Sequence, residues 1–276
     1  ANPVNLGNVG TPSDFTHNAW VSDNGNYVFT TDEVSDAYLG SYDISDLNNI
    51  QEIDRIQSNP GSNSIPHNTH VDGNFIITSY YRDGTVVHDI TNPHNLIEVA
   101  HYDSSPLSGD GFDGCWGTYP FLPSGNIISS DINSGNNNNG RLLIYSRDFL
   151  QACYLEGNVS DITNSNPITN ATVEILNSVL TVQTSTDLSG NYMTGIANSS
   201  SYDIVFSAPG YLSDTINATF SNGNTTIVNS QLQPLQSFNT SGTVIDVNGI
   251  GIPNSDVLIY NSSFTLNTIT DANGNF

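Results

Sequence analysis

The sequence predicts an all-β protein: a partial β-propeller of about three four-stranded blades, then β-sandwich repeats, the second of them truncated. Three observations carry that reading. Short runs rich in β-branched and aromatic residues alternate with turn residues along the chain. One pattern of such runs recurs at 45 or 46 residues in the first half. A second recurs at 84 or 85 residues in the second half.

The first pattern is clearest from Pro66 to Tyr102. Four runs there are divided by Asp72-Gly73, Asp83-Gly84 and Thr91-Asn92-Pro93, which reads as four antiparallel strands. A lone sheet cannot bury both its faces, so it needs neighbours of its own kind. The flanking sequence supplies them. Tyr42-Asp43-Ile44-Ser45-Asp46 matches His88-Asp89-Ile90-Thr91-Asn92, an interval of 46 (89 − 43). The turn Asn92-Pro93-His94-Asn95-Leu96 has counterparts at Leu47-Asn48-Asn49-Ile50 and at Asn2-Pro3-Val4-Asn5-Leu6, the latter two periods of 45 away (92 − 2 = 90). Residues 2–9 are therefore expected to be the fourth strand of a blade. Four strands at roughly 40–50 residues mark a propeller blade.

The first strands also open alike, with Thr16-His17-Asn18-Ala19-Trp20 and Pro66-His67-Asn68-Thr69-His70. A third unit follows at Asp113-Gly114-Cys115-Trp116-Gly117, Asn126 to Ile132 and Arg141 to Tyr145. In a propeller the first strand of each blade is innermost, which places these motifs near the central channel.

The segments THNAWVSDNGNYVFTTDE, HNTHVDGNFIITSYYRDGTVVHDITNP and FDGCWGTYPFLPSGNIISSDI look like the later blades of the LVIVD-repeat propeller in choice-of-anchor B proteins. The resemblance covers roughly residues 1–148. It implies a surface or secreted bacterial protein with no established activity. The chain departs from that pattern in Cys115, where a small residue is expected, and in lacking the earlier blades.

Past Arg147 the composition shifts to Asn, Ser, Thr and Gly. Gly157-Asn158-Val159-Ser160-Asp161 returns as Gly242-Thr243-Val244-Ile245-Asp246, an offset of 85 (242 − 157). Thr186-Asp187-Leu188-Ser189-Gly190-Asn191-Tyr192 returns as Thr270-Asp271-Ala272-Asn273-Gly274-Asn275-Phe276, an offset of 84 (270 − 186). Alternation such as Ala171-Thr172-Val173-Glu174-Ile175 marks half-buried strands of a sandwich. The Thr-Asp-x-x-Gly-x-aromatic element, with Pro209-Gly210-Tyr211, resembles carboxypeptidase regulatory-like domains. That resemblance implies transthyretin-like or immunoglobulin-like sandwiches strung as spacers, apart from any catalytic part. The domains expected are 1–149 (incomplete propeller), 153–234 (sandwich) and 237–276 (second, truncated sandwich). Both ends fall inside a repeat, so the chain is expected to be a piece of a longer parent chain.

The charge is lopsided: 27 acidic residues against four arginines and no lysine, a net of −23. Such a chain repels nucleic acid and anionic membranes, both of which are bound through Lys and Arg. No apolar run is long enough to insert in a membrane. Cys115 and Cys153 form no disulfide scaffold; they are either one bridge or two buried thiols.

Six histidines lie between positions 17 and 101. His17 and His67 occupy equivalent places in adjacent blades. His67 and His70 lie three apart, which on a regular strand sends them to opposite faces. Asp32, Glu33, Asp113 and Asp131 come from inner strands or their loops. The candidate metal set is therefore His17, Glu33, His67, Asp32, His70, Asp113 and Asp131. A mixed His/carboxylate set suits Zn²⁺, Mn²⁺ or Fe²⁺, and oxygen ligands alone suit Ca²⁺. The favoured reading of the same residues is a polar network bracing blade to blade, with the metal site as its rival. No nucleophile elbow, phosphate loop, His-Glu-x-x-His or dinucleotide glycine pattern is present.

The function expected is a secreted or cell-surface protein with a propeller for ligand binding or display and sandwich spacers, without evident catalysis. Two alternatives stand beside it. One is a metal-dependent enzyme at the propeller channel. The other is a carbohydrate-binding surface module stacking sugars on Trp20, Trp116, Tyr80 or Tyr81. A surface glycan or a protein is the expected partner.

Overall fold

The computed structural model describes residues 2–132, 140–178, 182–236, 239–260 and 265–276. Every regular element among them is a β-strand, and no sheet closes into a barrel. The chain divides into two compact units, Ala1–Pro234 and Leu235–Phe276.

The first unit opens with three antiparallel sheets. β1 (Thr16–Val21), β2 (Tyr27–Asp32), β3 (Leu39–Asp43) and β4 (Gln51–Ile56) pair in chain order. β5 (Thr69–Asp72), β6 (Phe75–Tyr80), β7 (Gly84–Asp89) and β8 (Ile97–Tyr102) do the same. β9 (Gly114–Tyr119), β10 (Ile127–Ile132) and β11 (Arg141–Tyr145) make a third sheet of three strands. The first strands lie side by side, β1 against β5 and β5 against β9.

The second sheet is covered on both faces, as its composition requires. Ile76 joins Phe29, Leu39, Val71, Ile90 and Leu96 in one core. Its neighbour Ile77 joins Val87 and Ile127 in another. Consecutive residues of a strand point to opposite faces, so one apolar pair on β6 serves two cores. The Asp83-Gly84 turn takes glycine because φ at Gly84 is 81° and an added Cβ would sit 2.1 Å from the Tyr102 carbonyl.

The sequence repeat is a repeat of turn chemistry. The Asp43 carboxylate accepts the Ser45 N–H at 2.8 Å, and the Asp89 carboxylate accepts that of Thr91 at 2.7 Å. Asp46 likewise holds Asn48 at 2.9 Å, and Asn92 holds His94 at 3.1 Å. Short Asx side chains bind the backbone two residues on, which is why they mark turns.

Residues 2–9, expected as a fourth strand, are not one. Val4 and Leu6 stand 77% and 69% exposed, and among the described residues no ladder hydrogen bond reaches the segment. A strand needs a paired backbone, and local pattern alone does not provide it. The third sheet likewise has three strands among the described residues, not four.

β12 (Cys153–Asp161), β13 (Thr172–Ile175), β14 (Val182–Ser185), β15 (Asn191–Ile196), β16 (Ser201–Ser207), β17 (Asp214–Thr219), β18 (Thr225–Ile227) and β19 (Ser230–Leu232) complete the first unit. They form one sheet of order β15-β12-β18, with β19 also on β12, and another of order β14-β13-β16-β17. Leu155, Val159 and Tyr192 from the first meet Val173, Ile175, Ile204 and Phe206 from the second in a shared core. The second sheet of the chain abuts this sandwich. Ile97, Ala152 and Tyr154 cluster there, and the buried Asp89 carboxylate accepts the Ala152 N–H at 2.6 Å.

In the second unit β20 (Asp256–Tyr260) and β21 (Thr265–Ile269) form a hairpin. Its final turn reproduces that of the sandwich. The Asp187 carboxylate accepts Ser189 and Asn191 N–H groups at 2.8 and 2.9 Å, and that of Asp271 accepts Asn273 and Asn275 at the same distances.

Candidate metal centre

Three of the seven candidate residues converge. His17 Nδ1 lies 3.0 Å from Glu33 Oε2, and His67 Nε2 lies 3.5 Å from Glu33 Oε1. One ligand atom from each of the three can be chosen so that all lie within 4.8 Å of one another. The two imidazoles stack, centroids 4.5 Å apart.

Local register explains how they meet. Thr16 pairs with Asp32 and Asn18 with Thr31, so His17 is an extra residue in β1. Such a bulge turns a side chain out of the normal alternation. Ahead of β5, the His67 N–H donates to the Ser79 carbonyl, while the next N–H, of Asn68, donates to the Ser79 hydroxyl. Two residues again face one. In β9, Cys115 pairs with Asp131 and Gly117 with Ser130, which makes Trp116 the extra residue there. The three bulged side chains form a row, with the His67 ring 5.3 Å from that of Trp116.

His67 is buried, and burial lowers its pKa, opposed by the Trp116 carbonyl and the Glu33 carboxylate. Its Nδ1 meets the Trp116 carbonyl oxygen. The Asn68 side-chain amide also lies 2.8 Å from Nδ1. The Trp116 carbonyl only accepts, so in the neutral ring Nδ1 carries the proton, the Asn68 amide turns its oxygen toward it, and Nε2 presents its lone pair to Glu33. The Tyr81 hydroxyl donates to Glu33 Oε1 at 2.5 Å; burial and that carboxylate hold the phenol well above its ordinary pKa. His17 keeps 34% of its side chain exposed, so the cluster opens to solvent on one side.

The other candidates go elsewhere. Asp32 is fully buried and accepts the Ser13 N–H at 2.6 Å. His70 packs against Trp20, centroids 4.7 Å apart, and burial lowers its pKa. Asp113 pairs with Arg82 at 2.8 Å. Asp131 accepts the Ser104 hydroxyl. These four do not join the His17–Glu33–His67 cluster. Of the rings considered for stacking, Tyr80 and Tyr81 are buried, while Trp116 is 50% exposed.

Sequence reasoning missed Tyr81 and the Trp116 carbonyl. A signal existed for the first. Thr78-Ser79-Tyr80-Tyr81 aligns with Thr30-Thr31-Asp32-Glu33 at the ends of equivalent strands, so Tyr81 and Glu33 are counterparts.

Among the described residues no helix is long and apolar enough to cross a membrane. A comparison with curated proteins finds no match. Among solved structures, the chain is similar to the minor pilin GBS52 of Streptococcus agalactiae at 15% identity and TM-score 0.27, covering 44% of this chain and 65% of that one. A streptococcal ancillary pilin is similar at 9% identity and TM-score 0.38, covering 85% and 70%. The Bacillus anthracis TIE protein is similar at 14% and 0.29, covering 95% and 48%. The family comparison is more specific: residues 154–233, the two-sheet sandwich, match the carboxypeptidase regulatory-like domain.

Proposed function

We propose that this is a secreted or cell-surface bacterial protein. Its first three sheets are blades of an LVIVD-type propeller that binds or displays a ligand, and its sandwiches are spacers. The domains in this reading are 1–149, 153–234 and 237–276. The observation that supports it is the coincidence of repeat and packing. Sheets that follow the 46-residue interval lay their first strands side by side and cover each other's faces. Closure or stacking of such sheets is what protects their edges. A net charge of −23 suits an exposed, soluble surface without nucleic-acid partners.

Antibody raised against residues 153–234 should label intact producing cells or their medium. Labelling that requires permeabilised cells overturns the reading. A carbohydrate ligand is favoured by one observation, the exposed rings of Tyr119 and Phe121, centroids 5.4 Å apart, with Trp116 exposed on the same strand as Tyr119. Glycan-array binding that survives Trp116→Ala and Tyr119→Ala removes that option.

A further inference from the structure

We infer that His17, Glu33 and His67 hold one divalent transition-metal ion of the Zn²⁺ type, with a coordination position left open to water or to a ligand. The inference stands on three side chains, whatever the wider architecture of the sheets. It would fail or hold independently of the cell-surface reading.

Donor spacing supports it first. Ligand atoms about 2.1 Å from a tetrahedral ion lie about 3.4 Å from one another. His17 reaches Glu33 Oε2 at 3.0 Å and His67 reaches Glu33 Oε1 at 3.5 Å. One donor atom from each residue can be chosen with all three within 4.8 Å of one another, so small side-chain rotations close the set around an ion.

The second support is the orientation of His67. Ligating histidines characteristically donate their other N–H to a carbonyl or carboxylate, which fixes the tautomer and aims the free nitrogen. The Trp116 carbonyl does this for His67. The Nε2 lone pair then faces Glu33 Oε1, an oxygen that already accepts the Tyr81 hydroxyl. In the neutral ring two acceptors confront each other; a second ring proton would satisfy both as an ion pair, and a metal cation between them does so with the ring neutral. Tyr81 holds the carboxylate from behind, as an outer-shell partner does.

Donor type selects the metal. Two imidazole nitrogens and one carboxylate suit Zn²⁺, Mn²⁺ or Fe²⁺ and are a poor set for Ca²⁺ or Mg²⁺, which take oxygen. Solvent reaches the ion from the His17 side. The site is consequently of the open kind, able to accept an anionic or hydroxyl group of a ligand presented at that surface.

The test is calorimetric titration of the chelator-treated, full 276-residue chain with Zn²⁺, with circular dichroism confirming the fold of each variant. One ion per chain is expected, undisplaced by excess Ca²⁺. His17→Ala and Glu33→Gln should each weaken binding at least tenfold, and Tyr81→Phe by roughly tenfold or more. His94→Ala, on a turn distant in sequence, should leave it unchanged. His17 is solvent-facing, so His17→Ala decides the matter should Glu33→Gln fail to fold. Absence of stoichiometric binding, displacement by Ca²⁺, or undiminished affinity in His17→Ala overturns the inference and leaves the cluster a polar brace.

Discussion

The imidazoles of His17 and His67 stack with centroids 4.5 Å apart and planes 26° apart, although 50 positions separate them (67 − 17). Each is the extra residue at the same place in consecutive first strands, and Trp116 is the third. A bulge repeated in neighbouring sheets turns successive side chains into one row. The members of the row are unequally packed. In metal-free buffer His17→Ala should cost roughly 1 kcal/mol or less, since the ring is partly exposed and loses only its contact to Glu33 and its stack on His67. His67→Ala removes a buried ring and its bond to Trp116, and should cost roughly 2–4 kcal/mol. Urea unfolding followed by Trp fluorescence measures both; equal effects would contradict the packing.

His88 should make the protein acid-sensitive. It is fully buried, and neither ring nitrogen has a hydrogen-bond partner among the described residues. Burial pushes its pKa down from 6.5 to about 4, with Glu98 opposing. Between those values the unfolded chain binds a proton that the folded chain refuses, so stability falls as pH drops through this window. An interval of 2.5 (6.5 − 4) corresponds to about 3 kcal/mol. His101, held above its ordinary value by Glu98, is protonated in both states across most of the same window and adds little slope there. Unfolding midpoints from pH 7 to 4 should fall less steeply in His88→Phe than in the parent. Parallel profiles would refute the assignment.

Much of the first three sheets was legible because their rules are local. Asp-Gly and Asn turns fix strand ends, and adjacent apolar residues such as Ile76 and Ile77 show a strand with two buried faces. What was not legible depends on pairing between distant segments. Residues 2–9 carry a strand pattern without a partner. The aim of His17 follows from a one-residue slip against β2, which no count along β1 reveals. His17 and His67 were recognisable as counterparts, but not Tyr81 as the clamp on Glu33, since that bond crosses between sheets. Asp113 looked available in sequence and is taken by Arg82.

The cysteines should be silent in the native state. Cys115 and Cys153 are free and fully buried, and burial pushes the Cys115 thiol up to about 12. Thiolate is the reactive form, so both accessibility and charge oppose modification. Ellman's reagent should detect no thiol in the folded chain and two in urea. A disulfide in the intact mass would show instead that the two segments approach each other.

Thr186 anchors the repeated turn of the sandwich. Its buried hydroxyl accepts the Ala171 N–H at 2.8 Å and donates to the Ile168 carbonyl at 2.6 Å. Valine keeps the shape and strands both backbone groups, at roughly 1–3 kcal/mol each. Thr186→Val should therefore lower the urea midpoint clearly, while Thr186→Ser should restore most of it. Thr270 makes the same two bonds, to Ser255 and Ile252, in the second unit, and Thr270→Val should act in the same direction. A neutral Thr186→Val would mean that the turn is held by the Asp187 carboxylate alone.

Gly157 is a position where the sandwich tolerates no side chain. Its backbone dihedral is unexceptional, so the constraint is proximity. A Cβ would lie 1.8 Å from the Val228 carbonyl oxygen and 2.9 Å from the Tyr192 hydroxyl. Neither neighbour can yield cheaply. The Val228 N–H is bonded to the Glu156 carbonyl at 2.9 Å, and the Val228 carbonyl accepts the Tyr192 hydroxyl at 2.7 Å. Gly157→Ala must push the β18–β19 segment off β12, breaking its parallel pairing and opening the core beside Tyr192. A cost of about 3 kcal/mol or more is expected, at the upper end of overpacking effects. The probe matters, because Trp20 and Trp116 both lie outside the sandwich. Circular dichroism should register a lowered midpoint. Amide exchange at Val228 and Ile162, whose N–H groups bridge the parted segments to the Glu156 and Leu232 carbonyls, should quicken more than exchange at Ile76 in the second sheet. Unchanged exchange at Val228 and Ile162 would show that the Val228 carbonyl moves aside without disturbing the pairing.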